Sequence, residues 1–120
     1  MTDVHQVKVG RVYVERVRGD GTRVLVDRIW PRGLSKEKAD LDEWCKTVAP
    51  STELRKWYAH DPERFEEFGR RYRRELEEPE RAETLGHLRA LARKTNLTLL
   101  TATKDAGISE AVVLADLIRG

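Results

Sequence analysis

Arg23-Val24-Leu25-Val26-Asp27-Arg28-Ile29-Trp30-Pro31-Arg32-Gly33 is a short apolar run that ends abruptly in two arginines, a tryptophan, a proline and a glycine. Val24-Leu25-Val26 is apolar on both faces, the pattern of a central strand covered on two sides. Pro31 and Gly33 stop regular structure directly after it. Loops at the carboxyl ends of strands in open α/β sheets hold ligands, so this loop is where a site is expected.

Upstream, Val7, Val9, Val12 and Val14 alternate loosely with Lys8, Gly10, Arg11 and Tyr13, which predicts an extended strand with an irregularity near Gly10. Gly19-Asp20-Gly21 is a turn signal. Downstream, Ser35 caps a short helical turn from Lys36 to Ala39, while Leu41 to Cys45 fits no single element. Pro50 forbids a continuous helix, and Ser51 caps one of about two turns carrying Leu54, Trp57 and Tyr58 on a shared face.

Asp61-Pro62 opens the clearest helix, with Phe65, Phe68, Tyr72 and Leu76 as its buried stripe and Glu78-Pro79 as its break. Leu85, Leu88 and Leu91, with Ala82 and Ala92, outline another helix that stops near Asn96. Leu97 to Ala102 reads as a second buried strand. Ser109 offers a cap for a last helix holding Ala111, Val112, Leu114, Ala115 and Ile118. Strands first, helices between, strand and helix last predict an α/β fold: a small, largely parallel sheet of three to four strands layered with helices. A helix-rich α+β arrangement is the alternative.

At 120 residues the chain is expected to form a single domain. Its 23 basic and 21 acidic residues nearly cancel to a net +2, so no global field recruits a polyanion. The single cysteine, Cys45, excludes an internal disulfide and a multi-cysteine zinc site, and fits a reducing compartment; the expected location is cytoplasmic. The start, Met1 to Gln6, lacks a basic segment followed by an apolar one, and no apolar run is long enough to span a bilayer, so no membrane role is expected.

Arg28 and Arg32 flank Trp30 on a proline-stiffened loop, where two guanidinium forks beside an indole face suit a phosphate, a carboxylate or a planar ring. The competing reading has Trp30 covering the sheet edge and the arginines paired with acids. Asp27 ends the strand as a proton acceptor or, equally, as a cap for the following turn. His60 precedes a helix start, where it can act as acid, base or anion contact, or simply pack beside Tyr58.

Ser51 at a helix start with Arg55 one turn on is a further candidate anion contact, although ordinary capping also explains Ser51. If the sheet is parallel, Lys104-Asp105 reach the same edge as Arg28 and Arg32. Cys45 has no flanking signature of a nucleophile. His5, His60 and His87 lack the close pairing of zinc motifs, so neither a metal site nor a cofactor is expected.

RVLVDRIWPRGLS from Arg23, APSTELRKWYAHD from Ala49, LLTATKD from Leu99 and AVVL from Ala111 together resemble the YeaO-like bacterial proteins, classed under domain of unknown function 488. The resemblance covers nearly the whole chain from about Val7. It carries onto Asp27, Arg28, Trp30, Pro31, Arg32, Gly33, Pro50, Ser51, Leu54, Arg55, Trp57, His60, Asp61, Tyr72, Lys104 and Asp105, and implies no defined activity. Two departures from the family pattern stand at Ser109, where relatives tend to carry asparagine, and at Cys45, where they carry an apolar residue.

The residues thus favour a small enzyme or binding domain for an anionic small molecule, held by Arg28, Trp30, Arg32, Ser51, Arg55 and Lys104, with His60 or Asp27 handling protons. A nucleic-acid-binding or regulatory module ranks second: Arg70, Arg71, Arg73 and Arg74 would track phosphates, but interspersed acids repel a polyanion. Those arginines read more simply as a solvated helix face or subunit contact.

Overall fold

The computed structural model describes residues 5–120. Residues 1–4, on which part of the reading of the amino terminus rests, lie outside that range. In chain order the elements are β1 (Val7–Arg11), β2 (Thr22–Leu25), α1 (Lys36–Ala39), β3 (Glu43–Trp44), α2 (Thr52–Tyr58), α3 (Phe65–Glu75), α4 (Pro79–Lys94), β4 (Leu97–Thr101) and α5 (Glu110–Arg119). The four strands form one sheet in the order β1-β4-β2-β3, and every pairing is parallel. This is the expected α/β fold, with the stretch left open in the sequence, Leu41 to Cys45, supplying the edge strand β3.

Period-two alternation divides the core between the two faces of the sheet. Val24 and Val26 from β2 and its end, with Leu97 and Leu99 from β4, point into the larger cluster beneath α2, α3, α4 and α5. Leu25 and Leu100 point the other way, into a smaller cluster closed by Val12, Ala39 of α1 and Trp30. All five residues of β4 are buried, as a strand covered on both faces requires.

The expected irregularity at Gly10 is absent: the β1–β4 register runs straight through the Gly10↔Leu100 pair. A methyl group at Gly10 would meet Leu100 at 3.6 Å, an ordinary contact, so no bulge is needed to seat it. The strand ends earlier than its valines suggest. Val12 is buried and donates its N–H to the Thr101 carbonyl at 2.9 Å, but the chain then turns, and Tyr13 and Val14 are exposed.

Arg23 ties the long β1–β2 connection to the sheet. Although fully buried, it satisfies its guanidinium on the carbonyls of Val14, Ala39 and Asp40 and on the Asp20 carboxylate, 3.1 Å away. Burial alone would raise Asp20, but Lys8, the Val17 N–H and Arg23 outweigh it and hold the carboxyl down at about 2.

Helix starts follow from local chemistry. Ser35 accepts from the Lys38 N–H and Ser51 from the Leu54 N–H. Asp61 caps as expected, but the turn it opens, Pro62–Arg64, is a tighter 3₁₀ turn that leads into α3. Ser109 does not cap α5: its hydroxyl donates back to the Ala106 carbonyl at 2.7 Å, because a 3₁₀ turn at Ala106–Ile108 brings that acceptor beneath it. No helix among the described residues is long and apolar enough to cross a membrane.

Candidate functional site

The neighbours β2 and β4 run parallel, yet the chain leaves them in opposite directions. After β2 it covers the smaller-cluster face with α1, and after β4 it covers the larger-cluster face with α5. Two adjacent strands whose following helices diverge leave a crevice at their carboxyl ends. A cleft of about 680 Å³ lies there, lined by Asp27 to Arg32 after β2, by Ala102, Thr103, Ser109 and Glu110 after β4, and by Pro50, Arg55, Lys56, Tyr58 and His60 around α2.

Six of the residues singled out in the sequence therefore share one cleft: Asp27, Arg28, Trp30, Arg32, Arg55 and His60. Two do not line it. Lys104 leaves the same sheet edge but is exposed outside the lining. Ser51 is committed elsewhere: its N–H and hydroxyl both donate to the Glu75 carboxylate, at 2.8 and 2.5 Å. The anion at the start of α2 is thus the protein's own Glu75, as the positive end of a helix favours.

Asp27 is fixed in place. Its carboxylate accepts the Thr101 hydroxyl at 2.8 Å and the Ala102 N–H at 2.7 Å, which clamps the end of β2 to the end of β4. Its carbonyl accepts the Trp44 indole N–H at 2.7 Å. Trp44 in turn meets Trp30 edge-on with centroids 5.3 Å apart, and the Trp30 N–H donates to Leu34 O at 2.7 Å. Trp30 is therefore held as a wall that sets the loop's shape.

Glu110, the first residue of α5, was not anticipated. Burial, followed by hydrogen bonding to and repulsion from the Asp27 carboxylate, pushes its carboxyl well above the usual range. The two acids thus favour a proton on Glu110, which lowers the negative charge that the pair would otherwise bring to the cleft. The signal in the sequence was slight, because an acid in the first turn of a helix is ordinary dipole matching.

Opposite these acids stand Arg28, Arg32, Arg55 and Lys56, none of which makes a salt bridge among the described residues. The pairing differs on α3, where Arg70 and Arg71 sit 2.9 Å from Glu67. His60 lies in the left-handed region at φ 56°, directly after Ala59 at φ 46°, with its ring 6.1 Å from that of Tyr58. Behind them Tyr58 and Phe68 stack at 4.3 Å and form an apolar wall. The Tyr58 hydroxyl donates to Ile108 O at 2.6 Å, and burial, with Asp105, Glu110 and Asp61 nearby, pushes it up to about 12.

Cys45 lies outside the cleft, and burial beside Glu43 pushes its thiol up to about 12, the reverse of an activated nucleophile. It does have company that the linear spacing of the histidines concealed: His87, from α4, reaches Glu43 at 2.8 Å.

A family model described as "Inactive DUF488-N3 subclade" matches residues 6–120. The chain is 49% identical over 115 residues to the uncharacterized protein Rv3073c of Mycobacterium tuberculosis, covering 96% of this chain and 95% of that one. It is 41% identical over 113 residues to the uncharacterized protein YeaO of Escherichia coli, covering 94% and 96%. No solved structure matches it.

Proposed function

The chain belongs to the YeaO-like DUF488 family of bacterial proteins, in the branch described as its inactive N3 subclade, and from that premise we propose that it binds an anionic small molecule bearing phosphate or carboxylate. One observation carries the reading: Arg28, Arg32, Arg55 and Lys56 line a cleft at a switch point of the sheet, and among the described residues none of them makes a salt bridge with an acid. Elsewhere in the fold, Arg16, Arg23, Arg70 and Arg81 all hold acids. Cations left open in a concave site are what a bound anion completes.

The word "inactive" in the family's description favours binding over turnover. Asp27 and Glu110 then serve as a hydrogen-bonding pair, one accepting and one donating, toward hydroxyl or amine groups of the ligand, with His60 at the rim. The setting we assign is the cytoplasm, on the evidence of the lone cysteine. A nucleic-acid role has less support. Arg70 and Arg71 are engaged by Glu67, and Arg71 and Arg64 lie over the Trp57 ring with centroid distances of 4.1 and 5.3 Å, contacts that a stacking base would have to displace.

The test is thermal or chemical denaturation of the full chain with phosphate, pyrophosphate, a nucleoside monophosphate and a dicarboxylate. A ligand at a hundred times its Kd stabilises by about 2.7 kcal/mol. Stabilisation that Arg28→Ala with Arg32→Ala abolishes supports the reading. No stabilisation by any of the panel, or stabilisation that survives the double substitution, overturns it.

A further inference from the structure

On the edge strand of the sheet, β3 and its first following residue place Glu43 and Cys45 two positions apart, so both side chains leave the same face of the strand. His87, on α4, faces them. Its Nε2 lies 2.8 Å from Glu43 Oε2, and Cys45 Sγ lies 3.6 Å from that same oxygen. All three donor atoms fall within 4.8 Å of one another. None of the three residues lines the cleft.

We propose that Glu43, Cys45 and His87 form a binding site for a divalent transition-metal ion, zinc being the best match, with water in the fourth position. Thiolate, imidazole and carboxylate are the three donor types that zinc accepts together, whereas magnesium and calcium demand oxygen alone. At tetrahedral zinc distances such donors stand roughly 3.3–3.8 Å apart, so the present cluster closes onto an ion by small side-chain rotations.

The backbones that carry the ligands are already fixed. Glu43 is paired in register with Val24, and the Cys45 N–H donates to Leu25 O at 2.8 Å. His87 sits between Leu85 and Leu88, which are 5% and 0% exposed in the core. The His87 side chain itself is 48% exposed, which leaves an approach for the ion and room for its water. Among the described residues no lysine or arginine makes a salt bridge with Glu43, so the acid is not already neutralised by a competing cation.

Cobalt(II) titration of the full chain tests this, because cobalt occupies zinc sites and its spectrum identifies its ligands. Since Cys45 is the only cysteine, a thiolate-to-cobalt charge-transfer band can arise nowhere else. The expected result is that band, with the visible bands of a four-coordinate ion, saturating at one equivalent and lost on adding zinc. Cys45→Ala should remove the charge-transfer band. His87→Ala, an exposed helix substitution that leaves the fold intact by circular dichroism, should weaken cobalt binding by at least the roughly 10–100-fold that losing even an outer-shell partner costs. No charge-transfer band at stoichiometric cobalt overturns the proposal. So does a band that His87→Ala leaves at full affinity, since that is a bare thiol binding metal without the other donors.

Discussion

Glu110, the first residue of α5, and Asp27, at the end of β2, line the same cleft, and burial with the Asp27 carboxylate beside it raises the Glu110 carboxyl well above its ordinary range. Because burial and Asp27 favour the neutral form of Glu110, its proton is held more tightly in the folded chain than in the unfolded one. Below the ordinary range near 4.5 both states are protonated and nothing is lost. As the pH rises beyond it, the unfolded chain releases the proton first, and stability falls until folded Glu110 also ionises. The slope is at most about 1.4 kcal/mol per pH unit, and less where solvent reaches the rim of the cleft. Glu110→Gln, which retains a donor for Asp27, should remove this decline and be more stable than the parent at neutral and alkaline pH. Urea denaturation at a series of pH values checks it; an unchanged pH profile refutes it.

Asp20 produces the opposite dependence. Its carboxyl is held at about 2 against an ordinary 3.8, so its contribution is complete above 3.8 and disappears as the pH falls toward 2. Asp20→Asn leaves the Arg23 guanidinium buried without its counter-charge, which costs about 3–5 kcal/mol at neutral pH. Lys8→Met removes only the partly exposed partner and should cost under about 1 kcal/mol. Chemical denaturation of the two variants at pH 7 separates these values, and comparable losses would contradict the assignment of Arg23 as the buried dependent partner.

Alternation and capping made most of this fold legible. Val24 to Val26 and Leu97 to Leu100 announced two strands covered on both faces, and Ser51 and Asp61 marked helix starts through side chains that reach neighbouring amides. Parallel pairing then brought the loops after both strands to one edge. What local pattern could not show was which polar groups find each other across long separations. Ser51 looked free for an anion because Glu75, which takes both its donors, is 24 residues away. Glu110 drew no notice because Asp27 is distant in sequence, and His87 looked isolated because Glu43 approaches only after α4 has packed. β3 escaped notice because a two-residue edge strand has too few positions for alternation to register.

Two glycines should respond to alanine with opposite signs. Gly21 has φ +65°, and a Cβ there would lie 2.0 Å from the Asn96 carbonyl oxygen, against backbone that cannot retreat because that oxygen accepts the Thr22 N–H at 2.8 Å. Gly21→Ala should cost more than the roughly 1–2 kcal/mol of left-handed strain alone. Gly86 lies inside α4 with nothing near its missing side chain, so Gly86→Ala should stabilise by about 0.4–1 kcal/mol through the unfolded state. Thermal denaturation of both variants reads the two signs; a tolerated Gly21→Ala would mean that the β1–β2 turn is looser than its packing against Asn96 implies.

Trp44 and Arg55 provide a test that separates loop positioning from ligand contact. Trp44 does not line the cleft, but its indole N–H holds the Asp27 carbonyl and its ring braces Trp30. Trp44→Phe keeps an aromatic edge and removes the hydrogen bond, which should cost about 0.5–1.5 kcal/mol of stability and, by loosening the loop that carries Arg28 and Arg32, weaken anion binding less than tenfold. Arg55 is exposed and makes no salt bridge among the described residues, so Arg55→Ala should change stability by less than about 0.5 kcal/mol while losing most of the anion-induced stabilisation. Denaturation with and without the binding anion gives both quantities for each variant. If Arg55→Ala were instead the destabilised one and kept its response to the anion, the guanidinium would be bracing α2 rather than meeting the ligand, and the cleft's binding surface would shrink to the loop after β2.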